Sequence, residues 1–242
     1  MYGEYEQLYH SLFKNADYHV AIIAALAAHP QGITRQMLAA KTKLSEGSLS
    51  RSLEELVDCD FITSYDPYIN KKKEAVYKLT DLYSLFYHKF IKPNKAMGKG
   101  TWKLLSNDSG FAAWSGYAFE NICMIHIPQI KAALGIQSVY AITNSWVHRG
   151  NDDLPGAQID MIIDRADNTI NLCEAKFTKD NFLITKSYAT KLKLKKSIFR
   201  QISQTKKATF TTLLTTYPVI KNKYYLDEIE NEITMEKLFE KV

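Results

Sequence analysis

Cysteine is scarce: Cys59, Cys123 and Cys173 are the only thiols in 242 residues. Odd in number, far apart and set in apolar surroundings, they argue against a disulfide framework and against a thiolate zinc site, and all three are expected to be core thiols. No apolar run approaches the roughly 18 residues that a membrane span needs. The start, Met1-Tyr2-Gly3-Glu4, lacks the basic-then-apolar order of a signal peptide. A cytoplasmic location with no membrane partner is the resulting expectation. Internal repeats and low-complexity tracts are absent as well. So is the sequence Gly-x-x-x-x-Gly-Lys-Ser/Thr, which leaves no P-loop to which ATP hydrolysis could be assigned.

What is present suits a globular chain of one or two domains. Hydrophobic residues make up 46% and charged residues 24%, enough to bury a real core. The net charge of +5 is mildly basic, with a sequence pI of about 8.9. Its placement says more than its size. From Lys176 to Lys223 there are twelve Lys or Arg and one acid, Asp180, whereas Asp227 to Val242 holds six acids and two lysines. A polyanionic partner would therefore meet the segment that begins at Lys176.

The N-terminal third reads as short helices followed by two strands. Tyr2 to Phe13 forms the first helix. Asp17 caps a second, Tyr18 to Ala28, with Val20, Ile23, Ala24 and Ala27 as its apolar stripe. A short helix follows Thr34, and Ser45 caps another that runs to Asp58 with Leu49, Leu53, Leu56 and Val57 buried. Phe61–Tyr65 and Ala75–Leu79 are strands around the basic loop Pro67–Lys73. This is the pattern of a winged helix-turn-helix. Its last helix would offer Ser48, Arg51, Ser52 and Glu55 outward; Arg51 and the wing lysines Lys71, Lys72 and Lys73 suit a nucleic-acid groove, while Glu46, Glu54 and Glu55 would repel phosphate. Nucleic-acid binding and protein packing both remain open for this module. Asp81 caps a further helix to Ile91 carrying Leu82, Leu85, Phe86 and Phe90. The run from Lys92 to Gly100 mixes proline, glycine and lysine without periodicity. Domains at 1–92 and 101–242, joined by a linker at 93–100, follow.

Beyond the linker, a helix is expected from Ser115 to Leu134, with Phe119, Ile122, Cys123, His126 and Ile130 at apolar spacing and Gly116 allowing a close backbone approach. Glu120 lies beside that stripe, able to reach inward or to face solvent. A strand from Val139 to Trp146 leads into a loop whose His148, Asp152 and Asp153 read as a solvated turn, not a ligand set. Two charged strands follow, Gly156–Asp164 and Ile170–Phe177. Alternation sends Ile159, Met161 and Ile163 to one face and Asp160 and Ile162 to the other. Cys173, Ala175 and Phe177 likewise oppose Glu174 and Lys176. A hairpin through Arg165–Asn168 would gather Asp160, Glu174 and Lys176 at one end of a sheet, as a metal site with a helper ammonium. A helix from Ser187 to Ser203 buries Leu192, Leu194, Ile198, Phe199 and Ile202; its Lys191, Lys193, Lys195, Lys196 and Arg200 form either a polyanion-binding face or a solvated one. Ala208–Tyr217 is a buried strand, and Thr234–Glu240 a last helix. The order of elements predicts an α/β (α+β) chain with a mixed sheet flanked by helices.

The residue types suit phosphodiester hydrolysis. Its substrate is protected by its own negative charge, so cleavage needs a cation on the nonbridging oxygens and an activated water. Carboxylates such as Asp160 and Glu174 suit Mg²⁺ or Mn²⁺. Glu120 in a helix, Asp160 in a strand and Glu174-Ala175-Lys176 in the next strand resemble the PD-(D/E)XK nuclease fold. That resemblance implies metal binding by Asp160 and Glu174, support from Glu120, and orientation or activation of the attacking water by Lys176. The departure is that Pro155 does not directly precede Asp160. It also implies a restriction-endonuclease-like sheet and, as in many such nucleases, action as a homodimer, although no residue pattern here marks a self-complementary surface.

A resemblance to the C-terminal region of prokaryotic AAA-type ATPases with a DUF234-like nuclease domain covers nearly the whole chain. It rests on the winged-helix start, Gly116-Tyr-Ala-Phe-Glu120, Gln158-Ile-Asp160, Cys173-Glu-Ala-Lys176, Tyr188-Ala-Thr-Lys-Leu-Lys193 and Phe199-Arg-Gln201. It implies a P-loop ATPase domain or subunit as partner, and the abrupt start is consistent with a fragment, a truncated gene or a standalone descendant. Two functions are therefore expected to compete: a metal-dependent nuclease acting on DNA by backbone recognition, and a non-catalytic nucleic-acid-binding or regulatory module of an ATPase.

Overall fold

A computed structural model describes residues 2–65, 68, 75–94 and 101–242. It divides into two compact units, Met1–Asp66 with Lys71–Ala118, and Pro67–Asn70 with Phe119–Val242. Lys71, Lys72 and Lys73, and most of the expected linker, lie outside the described residues.

The first unit begins with α1 (Tyr2–Leu12), α2 (Ala16–Ala27), β1 (Ile33–Thr34), α3 (Arg35–Thr42), α4 (Glu46–Asp58), β2 (Ile62–Tyr65) and β3 (Val76–Leu79). Strand β3 lies between β1 and β2 and pairs antiparallel with both. Thr34 and Ser45 cap α3 and α4, their side-chain oxygens accepting from the backbone N–H of Met37 and Ser48. Asp17 does not cap α2, which starts earlier, after Asn15. His19 faces inward, where its ring stacks on Phe13 at 3.9 Å and its Nε2 lies 2.7 Å from Glu55 Oε2. Ile23 is buried as expected, joined by His19, Ile22 and Leu26, while Val20 and Ala27 of the expected stripe pack partly buried at the edge of the same core. On α4, Leu49, Ser52, Leu53 and Leu56 share the inner face. Ser52 is therefore not offered outward, and Glu55 is engaged by His19, whereas Arg51 is exposed. Cys59, just past the end of α4, is exposed and not a core thiol, unlike Cys123 and Cys173.

Asp81 caps α5 (Leu82–Phe86), its carboxylate accepting from Ser84 N–H at 2.7 Å. The chain continues through a π-helical turn, Tyr87–Ile91, and a 3₁₀ turn, Lys92–Asn94. Leu85 and Phe90 are buried, whereas Leu82 is exposed. Beyond the undescribed stretch come α6 (Thr101–Leu105) and α7 (Ser109–Ile125). Phe86 and Phe90 meet Trp102, Phe111 and Trp114 with ring centroids 5.1 to 5.9 Å apart. These tilted and edge-to-face contacts explain why residues 101–118 belong to the first unit, so that the division falls within α7.

The second unit contains the rest of α7, α8 (Ile127–Ala133), β4 (Ala141–His148), β5 (Ala157–Arg165), β6 (Thr169–Lys176), β7 (Phe182–Leu183), α9 (Lys186–Ser203), β8 (Ala208–Thr215), β9 (Val219–Ile220), α10 (Lys223–Glu228), β10 (Asn231–Thr234) and a 3₁₀ turn, Met235–Phe239. Its mixed five-stranded sheet has the order β10-β8-β6-β5-β4. The β4–β5 and β5–β6 pairs are antiparallel, and β6–β8 and β8–β10 parallel. Helices cover both faces. Phe119 and Cys123 of α7 and Ile130 of α8 pack with Met161, Ile163, Cys173, Leu214 and Ile233. Ile198 and Phe199 of α9 pack on the other face with Ile162, Ile170 and Leu172.

Three expectations need correction here. The single helix 115–134 is broken at His126, because Pro128 in the first turn of α8 has no N–H with which to continue the preceding helix. Gly116 serves no close approach, since a Cβ there would meet no atom within 4 Å. Leu194 is exposed rather than buried. The sequence reading also missed α10 and β10. The latter, Asn-Glu-Ile-Thr, has one buried residue, Ile233, and too few apolar positions to alternate visibly. Among the described residues no helix is long and apolar enough to cross a membrane.

Candidate functional site

The site is built on an irregularity in β5. Asn144 faces Ile162, and Trp146 faces Ile159, so three steps along β5 match two along β4. The extra residue is a β-bulge spanning Asp160 and Met161. Its effect on facing is direct. Ile159 joins Ile162, not Met161 and Ile163, in the core beneath α9. The simple alternation expected through this strand therefore fails at Asp160. The β5–β6 register ends at Met161 opposite Cys173. Past that point the Asp160 carboxylate crosses to the neighbouring strand, its Oδ2 accepting from Ala175 N–H at 3.0 Å.

The turn that makes the hairpin is short. Asn168 adopts φ of 60°, a left-handed conformation that asparagine tolerates better than most residues. At the other end of β5, Gly150 has φ of 83°, and a Cβ there would lie 2.8 Å from the Gly156 nitrogen. Only glycine lets this loop close. Asn151 Oδ1 stabilises it by accepting from the N–H groups of Asp153 and Leu154. Asp152 and Asp153 stay exposed, as a solvated turn requires.

On β6, Cys173 and Ala175 pack on the α7 side while Leu172 packs beneath α9. Alternation places Glu174 with Leu172. Only 7% of Glu174 is exposed. Both its oxygens accept from Lys195 Nζ, at 2.8 Å and 2.6 Å. Burial pushes the Glu174 carboxyl up to about 8, the charge of Asp160 and then that of Glu120 add to the rise, and Lys195 opposes it. Tyr188 and Cys123 report the same field: burial raises both, and Asp160 contributes to each, with Glu174 acting on Tyr188 and Glu120 on Cys123. Glu120, Asp160 and Glu174 thus share one electrostatic neighbourhood. Glu120 and Asp160 are half-buried.

Lys176, also half-buried, directs its Nζ toward two rings, 5.6 Å from the Tyr188 centroid and 6.0 Å from that of Phe182. The cations of α9 fall into two groups. Lys186, Lys191, Lys193 and Arg200 are exposed. Lys195 and Lys196 turn toward acids, Lys196 pairing with Glu230 at 2.6 Å. A shallow cleft beneath the helix is lined by Ile159, Leu172, Glu174, Leu192, Lys195 and Thr211, among others.

Lys195, expected on the polyanion surface, has Glu174 as its partner. A signal was present. Tyr188, Leu192, Lys195 and Phe199 follow helical spacing of four, three and four, and Leu192 and Phe199 are buried. A lysine at an inward position of such a stripe needs a buried anion.

Among the described residues, no group of three His, Cys, Asp or Glu side chains is arranged to hold a metal ion. The donor chemistry nevertheless fits a magnesium-type cation, which takes hard oxygen ligands and is held through one or two carboxylates with waters completing its shell. Asp160 and Glu174 supply such donors, with Glu174 engaged by Lys195. No protein-family model matches the chain, and no curated protein matches it.

Proposed function

We propose that the second unit is a Mg²⁺- or Mn²⁺-dependent phosphodiesterase of the PD-(D/E)XK type that cuts DNA through backbone recognition, and that the first unit is a winged helix-turn-helix binding module. The observation that carries this reading is the gathering of Glu120, Asp160 and Glu174 into one field, with Glu174 buried and Asp160 on a bulge. Bulges re-aim side chains beside active sites, and buried acids whose pKa is displaced by neighbouring acids mark cation-binding or catalytic positions. The order helix, three-stranded meander, helix, parallel strand builds a mixed sheet with helices on both faces, which is compatible with this reading.

Asp160 and Glu174 would hold the ion, with Glu120 beside them. The ion, when bound, supplies charge neutralisation at the phosphate and a bound water of lowered pKa. Lys176 would hold the scissile phosphate or the attacking water at its ammonium, which the Tyr188 and Phe182 rings keep in place. Lys191, Lys193 and Arg200 would bind flanking phosphates, and Arg51 those that meet the first unit.

A second reading has its own support. Lys195 already neutralises Glu174, as expected of a retained scaffold whose cation site has become an internal ion pair. The chain would then be a non-catalytic nucleic-acid-binding or regulatory module of a P-loop ATPase. Incubating purified protein with supercoiled plasmid and Mn²⁺ separates the two. Nicking that is abolished in folded Asp160→Ala and Lys176→Ala variants supports the nuclease. Equal nicking by all three proteins points to contamination and sinks it, while salt-sensitive binding without cleavage favours the module.

A further inference from the structure

Resting on the metal-site reading above, we propose that Lys195 is a built-in placeholder cation: its ammonium occupies Glu174 in the resting protein, and a divalent ion binds by displacing it. The geometry is specific. One ammonium accounts for both oxygens of Glu174, at 2.8 Å and 2.6 Å, so the carboxylate is engaged across its whole face. The ammonium holds one lone-pair position on each oxygen and brings a positive charge against both, so a divalent ion approaching Glu174 competes with it for the same carboxylate.

The position of Lys195 on α9 supports the same role. It stands between Leu192 and Phe199 on the stripe that packs against the sheet, which carries its ammonium to Glu174. Its anion is equally dependent on it, because Glu174 lies beneath the helix in the field of two further carboxylates. Yet the pair is asymmetric. The Glu174 side chain is 9% exposed and that of Lys195 30%. The lysine is the partner with a path to water: its four-carbon stem can stay on the apolar wall of the cleft while the ammonium swings out to solvent. Lys196 is engaged by Glu230 and Lys207 by Asp164, so neither is placed to substitute at Glu174.

Exchange of one cation for another at a buried acid has two consequences. The acid never faces the interior uncompensated, which keeps the resting fold intact. Metal affinity is also set by competition with a tethered charge, giving a higher metal requirement than the carboxylates alone would show.

The test is calorimetric titration of Mn²⁺ into metal-free protein without nucleic acid. Lys195→Met, which keeps the stem and removes the charge, is expected to bind Mn²⁺ about tenfold or more tightly than wild type. Lys195→Arg, which keeps a bidentate cation, should bind no more tightly than wild type, and Asp160→Ala should not bind. Equal affinities for wild type and Lys195→Met, with Asp160→Ala impaired, would overturn the placeholder and leave the metal site standing. No binding by any variant would overturn the metal site and the placeholder together. A second readout uses wild type alone, should Lys195→Met fold poorly. The ammonium NMR signal of Lys195, slowed in exchange by its ion pair, should be lost as Mg²⁺ saturates the protein; a signal unchanged at saturation would contradict displacement.

Discussion

Glu174 and Lys195 show how one pair of residues ties fold to chemistry. Removing one partner of a buried pair leaves the other without compensation, so Lys195→Met in metal-free buffer should cost about 3 kcal/mol. The double variant Glu174→Gln/Lys195→Met should recover most of that loss, and urea denaturation of both measures it. His88, in the first unit, makes a different prediction. Burial, then the charge of Lys92, lowers its pKa to about 4, and its Nε2 lies 3.1 Å from the Tyr5 hydroxyl oxygen. The folded value lies below the ordinary one near 6.5, so the unfolded chain binds more protons between the two. Stability from this histidine is therefore present above about pH 6.5 and lost as pH falls toward 4. Denaturation of His88→Phe should show a shallower acid decline in that window than wild type. The glutamate and the Glu-x-Lys spacing were legible because charges stood in strand-like surroundings; Lys195 was not, because five cations on one helix look alike until the inward stripe is counted.

Among the elements, β5 best separates what a pattern can and cannot say. Its existence, its pairing with β6 and the turn at Asn168 follow from alternation and turn chemistry. The bulge does not, because Ile159, Ile162 and Ile163 are equally apolar and suit either face. A bulge depends on the register against the partner strand β4, which the spacing of apolar residues along β5 does not fix. Similarly, Pro128 was visible in the sequence, yet the apolar spacing through Ile130 masked the helix break it causes. The tight β4–β5 loop carries an element-scale prediction. Gly150→Ala meets both a left-handed backbone and a nitrogen at 2.8 Å, and should cost about 1–3 kcal/mol in chemical denaturation. Gly116→Ala in α7, where a Cβ meets nothing, should be neutral or stabilise by up to about 1 kcal/mol.

Across the whole molecule, charge placement and the division into two units matter most. The excess of cations after Lys176 was readable by counting, and the structure sorts it into exposed residues and internal partners. The exposed Lys186, Lys191, Lys193 and Arg200 are the α9 cations that should contribute to phosphate binding. Replacing Lys191, Lys193 and Arg200 with glutamine should lower the slope of log affinity for duplex DNA against log salt by roughly 1 for each phosphate no longer neutralised, whereas Lys196→Gln should leave it unchanged. The unit boundary was harder to read. A Pro/Gly/Lys-rich run looked like the divide, but Trp102, Phe111 and Trp114 attach the next stretch to Phe86 and Phe90, and aromatic packing between separated elements leaves no periodic trace.

The central claim, that Asp160 and Glu174 form a divalent-cation site normally covered by Lys195, is most directly tested by anomalous diffraction from crystals equilibrated with Mn²⁺. An anomalous peak is expected within ligand distance of both carboxylates, with the Lys195 ammonium withdrawn from Glu174. A saturating soak that shows no peak there, with both oxygens of Glu174 still on Lys195, would contradict it.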